Sequence, residues 1–301
     1  MTNQWEQKNS RSVRRVFLWA FVACYTLTLP HVILIYNAIV KHLSYNIARK
    51  TPVVILIVMG IAYVLTALVL KKGPQALKML FPCILIVYTI IYLEPNPNKH
   101  IHIPEYIVMA WILFEVLSLD YKGKGIFGLV FVCAALLGIV DEILQGILPD
   151  RHYGWQDMVV NSSSAIIGIF TLAGLRTVPT GNWAWIKCFK QLKATLVVLL
   201  CGTVGVVLTC VYLFDVQANL TFRGVYPSWL FVWNGLFMLI GLVVFFHRVL
   251  FYRPLQPEEG QVPNPIDHAA TARLWTICPL VILMILQGIV VLAAVAGMPF
   301  G

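Results

Sequence analysis

Charge is scarce in this chain. Only 12% of its 301 residues are Asp, Glu, Lys or Arg, while 59% are hydrophobic; a soluble domain carries about twice that share of charge. Such a balance argues against water as the main solvent and for lipid. Catalytic signatures are missing as well. The sequence has no Walker A loop, no GxSxG and no HExxH, so nucleotide, serine-hydrolase and zincin chemistry have no motif to rest on. The seven cysteines (Cys24, Cys83, Cys133, Cys188, Cys201, Cys210 and Cys278) form no CxxC or zinc spacing. Most sit inside apolar runs, as core residues do. There is no long basic tract: the net charge is +9, but Lys and Arg stand in short connections between apolar runs. Membrane topology explains that pattern more cheaply than a nucleic-acid partner, and none is expected.

What is abundant is the apolar run of about 17 to 24 residues, the length that carries a helix across roughly 30 Å of hydrocarbon. Punctuation by Pro, Gly and charge predicts nine spans, near Val16–Val40, Val53–Leu70, Leu77–Leu93, Glu105–Leu119, Gly125–Leu148, Asp157–Leu175, Thr195–Phe214, Trp229–Leu250 and Trp275–Ala296. Only helices satisfy their own backbone in lipid, so the expected fold is an all-α, polytopic transmembrane helix bundle. With the N-terminus inside, about 16 Lys and Arg fall on inner segments and about 6 on outer ones. The expected orientation therefore has a cytoplasmic N-terminus. Lys8, Arg11, Arg14 and Arg15 precede the first run as in a signal peptide, but no small-x-small cleavage site follows before Pro30, which predicts an uncleaved first span. The awkward segment is Lys41–Thr51, basic on the outer side, where a kink at Pro30-His31 would split the first run. Residues 253–273 read as a Pro-rich cytoplasmic linker.

Two stretches interrupt the apolar monotony with groups that are costly in a membrane: Lys99, His102, Glu105 and Tyr106, then Asp141, Glu142, Gln145 and Arg151 running on to Asp157 and Asn161. An acidic pair inside a span is seldom mere packing, and Asp141 is expected about 12 Å below its helix end. Asp141 with Gln145, Asp157 with Asn161 and His102 with Tyr106 are each four apart, so each set shares a helix face. The fourth span begins, the fifth ends and the sixth begins on the outer side, which places all these groups at one membrane surface.

The ordered pattern Lys99-x-x-His102-x-x-Glu105-Tyr106, Asp141-Glu142-x-x-Gln145, Pro149-x-Arg151, Asp157-x-x-x-Asn161 and Gly168 resembles the signature of the VanZ-like family of membrane proteins. The resemblance covers residues 77–175, about a third of the chain, with a two-span region before it (1–76) and a three-span region after it (176–301). Asn98, Asp150 and Ser164 depart from the family pattern at its periphery. The resemblance implies a protein of the bacterial cytoplasmic membrane and cell envelope. Through the member that named the family, it implies a link to resistance to the glycopeptide antibiotic teicoplanin. It brings site candidates but no reaction, and leaves cofactor and metal unknown.

Two function classes remain open on the residues. In the first, an enzyme works at the outer leaflet, with Asp141 or Glu142 as general base or metal ligand and His102 as acid or base. Lys99 and Arg151 would hold an anionic headgroup, while Glu105, Tyr106, Gln145, Asp157 and Asn161 shape the binding site. A lipid-linked cell-wall precursor or a phospholipid fits that location; an activated water would serve as nucleophile, since only Ser162 to Ser164 offer hydroxyls nearby. In the second class, the same groups bind an amphiphile such as a glycopeptide without catalysis, or form a proton-coupled path. A third, purely structural reading makes the acidic pair a hydrogen-bonded knot between helices. Ser164 and Gly168, small residues four apart, are expected to serve close helix packing.

Overall fold

The computed structural model describes residues 2–121, 123–148, 151, 153–177, 189–218, 226–250 and 265–300. Its helices are α1 (Thr2–Thr28), α2 (Val32–His42), α3 (Tyr45–Val69), α4 (Gly73–Leu93), α5 (His102–Leu117), α6 (Gly125–Ile147), α7 (Trp155–Leu175), α8 (Phe189–Ala218), α9 (Ser228–Leu250) and α10 (Pro265–Val295). Among the described residues, nine helical segments are long and apolar enough to cross a membrane, α1 and α2 counting as one. The fold is an all-α polytopic membrane architecture.

Local sequence explains the boundaries. Pro30 has no N–H to donate, so the first run breaks there into a 3₁₀ turn over Leu29–His31. The first run is interrupted at Pro30-His31 as expected, yet α2 continues to His42. A two-residue link follows, and Ser44 caps α3 by accepting a hydrogen bond from the Ile47 N–H at 3.2 Å. Helix α3 therefore starts eight residues before the expected Val53, with Pro52 inside it. The basic segment Lys41–Thr51 is thus mostly helical and not a loop. Of the expected linker 253–273, residues 253–264 lie outside the described ones and the rest opens α10. Pro265 suits a first helical turn, where its missing N–H has no partner to lose, and the alanines that follow favour the helix.

Contacts divide the chain into two compact units. One comprises residues 1–119, 126–138 and 156–179; the other comprises 120–125, 139–155 and 180–301. In the first unit α5 is the most buried helix, with Ile103, Tyr106, Met109, Ala110 and Leu113 fully enclosed. Helix α7 lies hard against it: a Cβ at Gly168 would stand 2.8 Å from the Ala110 Cβ and 2.9 Å from the Ile107 carbonyl. Gly168 is therefore a packing glycine, as its spacing from Ser164 suggested; the Ser164 hydroxyl donates to its own helix, to the Val160 carbonyl at 2.6 Å. At the end of this unit where α5 finishes, Arg176 and Arg14 converge on Glu115 at 2.8 and 3.6 Å. In the second unit α8, α9 and α10 pack at glycines. Gly202 receives the Phe237 ring and Gly241 the Met284 side chain, and Gln287 donates to the Gly202 carbonyl at 3.2 Å. Among the described cysteines Cys83, Cys133, Cys210 and Cys278 are buried as expected of core residues, whereas Cys24 and Cys201 are exposed.

Candidate functional site

The polar residues singled out in the sequence are divided between the two units. In the first unit the connection from α4 to α5 builds a tight turn. Glu94 Oε1 accepts from the Asn96 N–H at 3.0 Å, Asn96 caps the next turn by accepting from the Asn98 N–H at 3.1 Å, and His100 Nε2 stands 2.8 Å from the Glu94 carbonyl. This turn delivers Lys99 to two carboxylates, Asp157 Oδ1 at 3.1 Å and Glu94 Oε2 at 3.5 Å. The acids are nearly enclosed, while a quarter of the Lys99 side chain stays exposed. Lys99 is thus ion-paired on its inner side, and its exposed quarter is what remains to meet a further anion. Two carboxylates around one ammonium leave a local excess of negative charge.

One turn further on, His102 Nδ1 lies 3.0 Å from Glu105 Oε2, both side chains buried. The approach is off the hydrogen-bonding direction, so the attraction is electrostatic and complete only when the imidazole is protonated. Tyr25 of α1 donates to the Glu105 carbonyl at 2.9 Å, tying the start of α5 in place. Tyr106 and Asn161 are fully buried and meet at α6, where a Cβ on Gly138 would lie 3.2 Å from the Asn161 Cβ and 3.4 Å from the Tyr106 ring. Gly138 is there because two neighbouring side chains occupy the space that its own would need.

In the second unit, Asp141 and Glu142 of α6 stand four and three residues before Gln145, so each shares a helix face with it. All three are buried, Asp141 and Glu142 completely. Glu142 is held at both oxygens: Oε2 accepts from the Gly154 N–H at 3.2 Å and Oε1 from Gln145 Nε2 at 3.3 Å. Gln145 Oε1 in turn accepts from Arg151 Nη2. Arg151 is therefore linked to Glu142 through Gln145.

Behind this cluster sits an aromatic assembly that the sequence reading missed. Tyr153 packs against Phe214 with ring centres 4.4 Å apart and against Phe300 at 5.2 Å. Phe300 fills the space over Gly146, so that a Cβ there would collide with its ring. Burial above all, then the neighbouring Cys210 thiol and the Glu142 charge, push the Tyr153 phenol above its ordinary range. Glu94 was also missed. An acid directly before Pro-Asn-Pro, five residues from Lys99, is a signal that could have found it. Phe300 carries no such signal, because its partners lie about 150 residues away in sequence.

Fold and clusters together define the class: a multi-pass helical membrane protein that keeps buried ionisable groups at the ends of three helices. Comparison with protein-family models, with curated proteins and with solved structures finds no match for this chain.

Proposed function

We propose that this chain is a VanZ-like protein of the bacterial cytoplasmic membrane. In this reading its polar helix ends, facing outward with the N-terminus in the cytoplasm, act on a lipid-linked or anionic amphiphile of the cell envelope. The observation that carries the reading is the state of Glu142. A completely buried carboxylate in a membrane-spanning helix, with a backbone N–H and a side-chain amide donating to it, is expensive to keep unless it is used. Glu142 and Asp141 serve as base, proton carrier or cation ligand. His102, poised beside Glu105, exchanges the proton. Lys99 and Arg151 orient the phosphate of the head, with Glu105, Tyr106, Gln145, Asp157 and Asn161 shaping the site. Basic-residue bias supports the orientation, and the ordered five-part motif supports the family. The envelope link extends to glycopeptide sensitivity.

The test is teicoplanin susceptibility in cells carrying the wild type, His102→Ala or Asp141→Asn at matched membrane abundance. Both variants are expected to behave as the empty vector. Wild-type behaviour of both would remove the active-site reading, and an inert wild type would remove the glycopeptide link.

A further inference from the structure

The first unit holds an apolar cavity of about 680 Å³ between α3, α4, α5 and α7. Its walls include Gly60, Ile84, Val87, Ile107 and Ile167, with the Trp111 indole donating to the Thr171 hydroxyl at 2.9 Å at the deep end. On α4 the lining extends from Leu80 to Ile91, about 17 Å along the axis at 1.5 Å per residue. That is about half of the roughly 30 Å hydrocarbon thickness. The cavity has the depth of one leaflet. It also continues the lipid-facing surface, since Ile57, Ile61, Ile84 and Tyr88 line it while remaining more than half exposed. An apolar recess that opens into hydrocarbon is filled by hydrocarbon, because water finds no partners there and an empty space loses all dispersion contact.

Its upper end identifies the molecule that fills it. Ile91 is three residues, less than one turn, before Glu94, the acid that shares Lys99 with Asp157 at the end of the same unit. An ammonium between two carboxylates is complementary to a head that carries both a phosphate and an amine: Lys99 meets the phosphate, and the excess negative charge meets the amine. The geometry points to a specific binding site for one zwitterionic phospholipid of the phosphatidylethanolamine type, with an acyl chain in the α3–α4–α5–α7 cavity and its head at Glu94, Lys99 and Asp157. This names a lipid for the amphiphile site proposed above and rests on that reading only for its biological use; lipid retention is measured without any envelope phenotype, so either idea can fail alone.

Native mass spectrometry of the full chain tests it. The protein is released from nanodiscs that contain equal amounts of phosphatidylethanolamine and phosphatidylglycerol with matched acyl chains. One retained phosphatidylethanolamine per protein is expected, preferred over phosphatidylglycerol by about tenfold, the factor that one charge-assisted hydrogen bond is worth. Gly60→Phe should abolish retention, because a Cβ at Gly60 meets nothing within 4 Å and the new ring enters the cavity. Ile84→Trp, at a more exposed lining position, is a second filler should Gly60→Phe not fold. Glu94→Gln with Asp157→Asn should leave one lipid bound and erase the preference. Equal retention of the two lipids by the wild type, or undiminished retention in a folded filler variant, overturns the proposal.

Discussion

Replacing Glu142 by Gln separates a carboxylate that works from one that merely ties helices together. The side chain keeps its shape but loses its charge and one acceptor. In the structure both Glu142 oxygens receive donors, the Gly154 N–H at 3.2 Å and Gln145 Nε2 at 3.3 Å. A glutamine can accept only one of them and sets its own NH₂ against the other. Turning the Gln145 amide over would relieve that clash but would present an NH₂ to Arg151, whose Nη2 now donates to Gln145 Oε1. One buried donor is therefore left poorly matched in either arrangement, a cost of about 1–3 kcal/mol. For a chain of this size such a loss lowers the melting temperature by only a few degrees. If the carboxylate takes protons or binds a cation, loss of its charge should cost about a hundredfold or more in activity. The assay pairs membrane abundance and melting in detergent with teicoplanin susceptibility, for Glu142→Gln and Asp141→Asn. Near-normal protein with lost phenotype is expected. Protein and phenotype lost together would mean packing, and an intact phenotype in both variants would refute the reasoning.

Three further outcomes follow from the geometry. Gly168→Ala places a Cβ 2.8 Å from the Ala110 Cβ and 2.9 Å from the Ile107 carbonyl; because a backbone atom cannot swing aside, a loss of about 1–3 kcal/mol is expected by thermal melting, and wild-type stability would contradict the close α5–α7 approach. Phe300→Ala empties the space over Gly146 and beside Tyr153, which should cost about 3–5 kcal/mol in the second unit, with Phe300→Leu intermediate; an unchanged melting curve would show that the aromatic assembly is not formed. Finally, a cysteine replacing the exposed Trp155 should react with a membrane-impermeant thiol reagent in intact cells while one replacing Gly123 should not, and the reverse pattern would invert the orientation.

The sequence alone determined the membrane character and the number of spans, because each span is a local property: enough apolar residues in a row, ended by Pro, Gly or charge, form a helix in lipid whatever lies beside it. The acidic pair on α6 was legible for the same reason, since a carboxylate in an apolar run stands out without any knowledge of its neighbours. Boundaries were less so. The first turns of α3 and α10 are polar, and only the Ser44 cap and a proline that fits a first turn show that the helix had already begun. Partners were decided by tertiary structure. That Lys99 is shared by Glu94 and Asp157, that Arg151 reaches Glu142 through Gln145, and that Phe300 closes over Gly146 are consequences of how the chain packs, in the first and last case between segments far apart in sequence. The cavity beside Gly60 is equally invisible in sequence, because the apolar residues around it read the same whether they touch a neighbouring helix or a lipid chain.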